Sequence, residues 1–327
     1  MTLYGHIGGV APYFDDLVVG QVFDWAPSMT LTSGVAAAHQ GILGDRLRMA
    51  LDGELAHAVT GVPGALAHPA LVCDVAIGQS TLVTQRVRAN LFYRGLAFHR
   101  FPVIGDSLFT RTEVVGLKQN SSGPTGLAAL RMTTVDQVGR LVLDFHRCAM
   151  LPLSPGATET GHADDLSRIG SDAPAGPDAV AHWDAAAFRA RVPGPHFYPD
   201  IAGSVLHSTA DVVTSAPELA RLTLNIAAVH HDSRGGERLV YGGHTIGLAL
   251  AQATRLLPNI ATVLAWTSCE HTGPVREGDT LYSEVHVEAA EALPGERGGV
   301  LSLRSVVFAV GDPDRPVLDW RWRALQF

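Results

Sequence analysis

Residues Leu224 to Gly247, LNIAAVHHDSRGGERLVYGGHTIG, gather the side chains best suited to chemistry. Asn225, His230 and Asp232 stand just ahead of Gly242-Gly243 and an apolar run with helical spacing. An imidazole accepts and returns protons near neutral pH. The first N–H groups of a helix lack partners inside it and favour negative charge. Together they suit the addition of water to a double bond conjugated with a carbonyl: the imidazole moves the proton while N–H groups hold the oxygen that becomes negative. A histidine in an apolar run is more often a packing residue, and a Gly pair alone allows only a tight turn. Their spacing within one short window is what points to function.

Positioning these groups requires a large core, and the chain can build one. It has 327 residues, 46% of them apolar and 17% charged, enough for two ordinary domains or one large one. A formal net charge of −8 without any basic run excludes binding of nucleic acid by counterion release. The start, MTLYGHIGGVAPYFDD, lacks the basic and apolar regions of a signal peptide, and no stretch approaches the ~18 apolar residues of a membrane span, so a cytoplasmic protein is expected. Cys73, Cys148 and Cys269 match no metal or disulfide spacing and read as packing residues. The 15 histidines are scattered, and His230-His231-Asp232 points neighbouring side chains in different directions, so no metal is expected. Neither a G-x-G-x-x-G nor a G-x-x-x-x-G-K-[ST] pattern occurs, so no nucleotide cofactor is expected.

The elements fall into two halves. In the first, Thr32 or Ser33 caps a helix carrying Val35, Ala38, Ile42 and Leu43, and Ala65 to Leu82 predicts a buried central helix with Pro69 in its first turn. Four β-rich segments follow, Val87–Phe98, Ser107–Val115, Gly126–Val135 and Leu141–Leu151, as an antiparallel meander. Ser154 to Pro177, rich in Gly, Pro, Ser, Ala and Asp, predicts an exposed linker, with a short helix around Trp183 and Phe188 after it. The second half repeats the order: strand-like Ser204–Thr214, helical PELARLTLNIAAV, a long helix over Leu239–Leu257, and strands over Ala261–Glu270, Thr280–Ala289, Gly299–Val310 and Val317–Leu325. The expected division is 1–153, a linker over 154–200, and 201–327.

Two local matches carry the repeat. PVIGDSLF (102–109) recurs as PVREGDTLY (274–282), and GDRLRMALD (44–52) falls in the place of LNIAAVHHD (224–232). With the helix after each, these segments resemble the duplicated hotdog fold of the MaoC-like (R)-specific enoyl-CoA hydratases. That family's pattern is approximately S-G-D-x-N-P-L-H-x-D, then a helix opening near H-G, then P-V-x-x-G-D-T-L. The resemblance implies an α+β double hotdog, two long central helices each wrapped by an antiparallel sheet, and is nearest to the mesaconyl-CoA hydratase-like branch.

The resemblance also implies roles. His230 falls on the catalytic histidine and Asp232 on the acidic residue after it, while Asn225 stands where the family has its catalytic aspartate. An amide orients water but cannot share the proton, which would leave acid and base work to His230. Gly242 falls on the glycine whose N–H polarises the thioester carbonyl; Tyr241 replaces the usual preceding histidine, and Gly243 and His244 complete the expected substrate contacts together with Tyr241 and Asp232. In the first half Asp45 and Asp52 keep the acidic positions, but Ala50 replaces the histidine and Pro69, which has no N–H, replaces the glycine. That half is expected to have lost chemistry and to close the acyl pocket, whether or not His39, His57 and His68 line it. The implied partner is an acyl thioester carried on CoA or acyl carrier protein, in a monomer that is its own pseudo-dimer or in a homodimer. A hotdog thioesterase using Asp45 or Asp52, or a non-catalytic acyl-thioester binder, are the alternatives.

Overall fold

The computed structural model describes residues 11–171, 177–234 and 236–327. The first ten residues of the amino-terminal segment, residues 172–176 of the connecting segment and Gly235 lie outside the described residues. The first half comprises β1 (Val22–Phe23), β2 (Met29–Thr30), α1 (Ser33–Leu43), α2 (Arg48–Leu51), α3 (Gly53–Thr60), α4 (Pro69–Gln79), α5 (Thr81–Thr84), β3 (Ala89–Phe98), β4 (Ser107–Gln119), β5 (Thr125–Val135) and β6 (Leu141–Pro152). After α6 (Ala185–Arg191) the second half adds β7 (Val205–His207), β8 (Asp211–Val212), α7 (Ala216–Leu222), α8 (Gly242–Leu256), β9 (Ile260–His271), β10 (Thr280–Ala292), β11 (Gly299–Ala309) and β12 (Arg315–Gln326).

The described strands form one sheet in the order β1-β4-β5-β6-β3-β9-β12-β11-β10-β7, with β2 on β4 and β8 on β10. The two halves join where β3 and β9 run antiparallel, Tyr93 opposite Cys269 and Ala97 opposite Ala265. Within this sheet lie the two central helices. Every residue of α4 is buried, as is α8 from Gly243 to Thr254, because side chains that are apolar or small on all sides suit a helix wrapped by sheet. Each helix carries a glycine where it meets a loop or helix of the first or second half opposite. A Cβ on Gly78 of α4 would lie 1.6 Å from the Thr223 carbonyl oxygen, and one on Gly247 of α8 would lie 2.5 Å from Leu43 Cδ1.

The helices differ from expectation at their ends. The expected helix carrying Val35 to Leu43 is α1, capped by Thr32, whose hydroxyl accepts from Val35 N; Gly44, left-handed at φ 65°, ends it, and α2 follows as a separate turn. The segment PELARLTLNIAAV is helical only through Leu222 before a left-handed Leu224. The connecting segment is mostly exposed, as expected, but it is also docked: Ser154 donates to Asp15, Asp164 accepts from Leu117 N at 2.8 Å, and the buried Leu166 packs on Phe92, Ala129 and Cys148 of the sheet. Its Gly170 lies so close to His146 that a Cβ would approach that side chain to 2.9 Å. The small and polar composition that suggests a loose chain is what lets this strap lie flat on a sheet.

Candidate active site

The GDRLRMALD and LNIAAVHHD segments fold into the same local shape. Gly44 and Leu224 are both left-handed, at φ 65° and 61°. After each, a side-chain oxygen accepts from the N–H two residues on, Asp45 Oδ1 from Leu47 at 2.6 Å and Asn225 Oδ1 from Ala227 at 3.0 Å. This Asx turn keeps a short polar residue at 225 whether or not it does chemistry. The His231 ring bonds the Asn225 carbonyl at 2.6 Å and holds the loop closed.

His230 follows on a 3-10 turn, and its Nδ1 lies 3.0 Å from the Leu239 carbonyl. A carbonyl only accepts, so Nδ1 carries the hydrogen and Nε2 keeps its lone pair. Burial pushes the imidazole down to about 4, with the neighbouring His231 and Arg147 adding to that direction, so the ring is neutral at physiological pH. The ring meets Tyr241 edge-on at 5.7 Å between centroids.

Tyr241 precedes α8 with no side chain capping the helix start, so the N–H of Gly242 is not claimed by a cap. Glycine is required there: a Cβ would lie 2.5 Å from His271 Nε2. The first half does the opposite. His68 accepts from Ala70 N at 3.1 Å, Pro69 supplies no N–H, and His68 Nε2 lies 3.1 Å from Asp45 Oδ1 without a hydrogen bond to it. One helix start is open and its counterpart closed.

His230, Asn225, Tyr241 and Gly242 line one cavity of about 310 Å³, together with Thr245 and His271. The first half supplies the facing wall: Thr81 and Thr84 of α5, Tyr93 of β3 and Arg147 of β6. A shallower cleft of about 270 Å³ shares His230 and is rimmed by the ion pairs Arg238–Glu277 and Arg276–Glu237, at 3.2 and 2.9 Å.

Three expected substrate contacts lie elsewhere. Asp232 is turned to Arg234, which donates to both its carboxylate oxygens and holds its carboxyl down at about 2. Gly243 faces into the protein, against Asp74 and the Tyr241 ring. His244 is fully buried with neither ring nitrogen partnered, on the α8 side that faces His39. The cause is helical rotation: only residues one turn apart, Gly242 and Thr245, share the face on the cavity. Tyr241 does line the cavity, but its hydroxyl donates to Asp74 at 3.1 Å, and the other Asp74 oxygen meets His39 at 3.2 Å. His39 and His68 are buried in this polar cluster and His57 is exposed, so none of the three lines the cavity.

Among the cavity residues not singled out in the sequence are a histidine and an arginine. His271 ends β9 three residues before PVREGD, as His99 stands before PVIGD, so the repeat itself was a signal for it. Burial holds His271 at about 4, and its Nε2 is enclosed without a partner. Arg147 is a 4% exposed cation on an apolar strand. Among the described residues no group of three or more His, Cys, Asp or Glu is arranged to hold a metal, and no helix is long and apolar enough to cross a membrane.

No family model matches the chain. It is 29% identical to β-methylmalyl-CoA dehydratase of Chloroflexus aurantiacus, covering 95% of this chain and 91% of the relative. It is likewise 29% identical to mesaconyl-CoA hydratase of Cereibacter sphaeroides, over 91% and 90% of the two. Among solved structures, the Mycobacterium tuberculosis protein RV0216, described as having a double hotdog fold, is 70% identical over 97% of this chain and 99% of that one, with a TM-score of 0.93. A putative MaoC domain dehydratase from Chloroflexus aurantiacus is 26% identical over 97% of each chain, with a TM-score of 0.79.

Proposed function

The chain belongs to the double-hotdog MaoC-like family, and from that premise we propose that it is a hydratase/dehydratase that adds water across the double bond of a trans-2-enoyl-CoA to give a 3-hydroxyacyl-CoA. One observation carries the reading: a neutral imidazole with a free Nε2 and an uncapped helix start open on the same cavity. His230 Nε2 accepts a proton from water as the water oxygen bonds to C3, and the electron pair of the double bond moves onto the thioester oxygen. That enolate oxygen is held by the Gly242 N–H and the positive end of α8. The histidine then returns the proton to C2, so hydrogen and hydroxyl arrive on one face; dehydration reverses each step. Asn225 has its Oδ1 committed to the turn, which leaves its amino group to orient the water. His271 packs the Gly242 start and keeps an uncharged ring against it.

The test is a panel of short, branched, carboxylated and long trans-2-enoyl-CoAs incubated with the purified chain. Hydration appears as loss of the conjugated thioester absorbance with formation of 3-hydroxyacyl-CoA and no free thiol. Release of CoA thiol instead would identify a thioesterase, and binding without turnover in either direction would identify a carrier; either result removes the hydratase reading.

A further inference from the structure

We propose that His271 is a catalytic residue of the same cavity, whose Nε2–H is a second donor to the thioester oxygen beside the Gly242 N–H. The proposal rests on the hydratase reading and names a group that completes its hold on the enolate.

The 15-residue α8 opens on glycine, a poor helix former. Cβ bonds of a helix tilt towards its N-terminus, so the space that Gly242 leaves empty lies at the helix start, on the side of the first N–H groups. The His271 ring occupies that space with Nε2 foremost: a Cβ on Gly242 would lie 2.5 Å from Nε2, 2.8 Å from Cε1 and 3.4 Å from Cδ2. Tyr93 braces the ring edge-on, at 6.1 Å between centroids and 78° between planes. Gly242, His230, His271 and Tyr93 all line the one cavity.

His271 Nε2 is enclosed, and among the described residues no group bonds it. An enclosed nitrogen without a partner is costly until a ligand atom meets it. Burial holds the ring down at about 4, with the nearby His230 acting in the same direction, so at neutral pH it is uncharged and carries one hydrogen. We assign that hydrogen to Nε2, the nitrogen turned to the helix start. An uncharged imidazole in such a place polarises a carbonyl by donating a hydrogen bond while keeping its proton. His230 remains the group that moves a proton, and His271 shares with Gly242 the negative charge that develops on oxygen.

The first half shows the arrangement dismantled. His99 stands three residues before PVIGD as His271 stands three before PVREGD, but its Nε2 is bonded to Asp144 at 2.8 Å near the surface. The matching helix start is Pro69, which has no N–H. Both donors are lost together in that copy, as expected of two groups that serve one oxygen.

Two variants of similar size separate donation from packing: His271→Gln keeps an N–H donor, and His271→Leu has none. His271→Leu is expected to lower kcat about 10²- to 10³-fold with KM changed less than about threefold, and His271→Gln to recover about 10-fold of that loss. The readout that packing does not mimic is spectral. In a His230→Ala background, which removes turnover, a 2,4-dienoyl-CoA is bound to saturation and its absorbance recorded. Donors on the thioester oxygen draw electron density along the conjugated chain and move the band to longer wavelength. That shift should be present in His230→Ala, reduced when His271→Leu is added and partly restored with His271→Gln. A full shift with His271→Leu, or equal shifts with Leu and Gln, overturns the proposal. If the shifts follow the expected order but the unaltered chain hydrates no enoyl-CoA, the hydratase reading falls and the His271 contact stands; a dienoyl-CoA that does not bind at all overturns both.

Discussion

The two halves share a backbone and differ in what their polar groups are free to do. In the first, Asp45 lies beside His68, His68 caps α4, and Pro69 withholds an N–H. In the second, the residue at the matching turn is an amide, a histidine keeps a bare Nε2, and α8 opens uncapped at Gly242. Satisfied polar groups stabilise a fold, while unsatisfied ones at a cavity are available to a ligand. The duplication thus leaves one copy with a capped helix start that lends a wall and a cation to the cavity, and the other with the uncapped start that the proposed hydration would use.

The comparison breaks most visibly at the imidazole. His230→Ala is expected to lower kcat for hydration by about a hundred- to ten-thousand-fold, the usual range for a lost general base. Ala50→His should give nothing back, since the helix start beside it is capped. Recovery of activity through Ala50→His in the His230→Ala chain would show that the first half is not closed.

Next is the helix start. Gly242→Ala drives a Cβ onto His271 Nε2, from 2.5 Å, and displaces the N–H from its position. The expected loss is about 10²- to 10³-fold in kcat, as for removal of one oxyanion donor, with far-ultraviolet dichroism unchanged. A rate near that of the original chain would mean that the Gly242 N–H is not part of the site.

In the cluster that joins the halves, Asp74→Ala strips partners from His39 and from the Tyr241 hydroxyl, both buried. Chemical denaturation should register a loss of about 1–3 kcal/mol for each polar group left unmatched. A neutral result would mean that these contacts are incidental to the packing of α4 on α8.

The smallest effect is on the pH dependence of stability. His230, His244 and His271 are each held by burial at about 4 against an ordinary 6.5. The unfolded chain therefore binds more protons between those values, so stability is complete above about pH 6.5 and is lost as pH falls towards 4. Replacing the unpartnered His244 by Leu, the residue at the matching place in α4 (Leu71), should flatten that slope and raise stability by about 1 kcal/mol. An unaltered slope would show that His244 takes up its proton in the folded state.

Much of this division was legible in the letters. Ala50 against His230 and Pro69 against Gly242 already set the turns and helix starts of the two copies apart. The strand periodicity located the eight long strands, because alternation survives folding as alternate burial. What the letters could not carry was rotation and contact across the chain. Gly243 and His244 sit next to Gly242 in sequence yet face the opposite way, and Arg147 reaches the cavity only because β6 pairs with β3 and α5 closes over it. The strap from Ser154 to Ser171 shows the same limit, since composition reports flexibility in isolation and not the surface that a segment finds.

The most direct measurement is a crystal structure of the His230→Ala chain soaked with a trans-2-enoyl-CoA that it cannot turn over. The account predicts a single acyl group in the cavity lined by His230 and Gly242, its thioester oxygen within hydrogen-bond reach of the Gly242 nitrogen and its C3 on the side vacated by the imidazole. An acyl group bound instead against Asp45 and His68, or with its carbonyl turned away from α8, would contradict it.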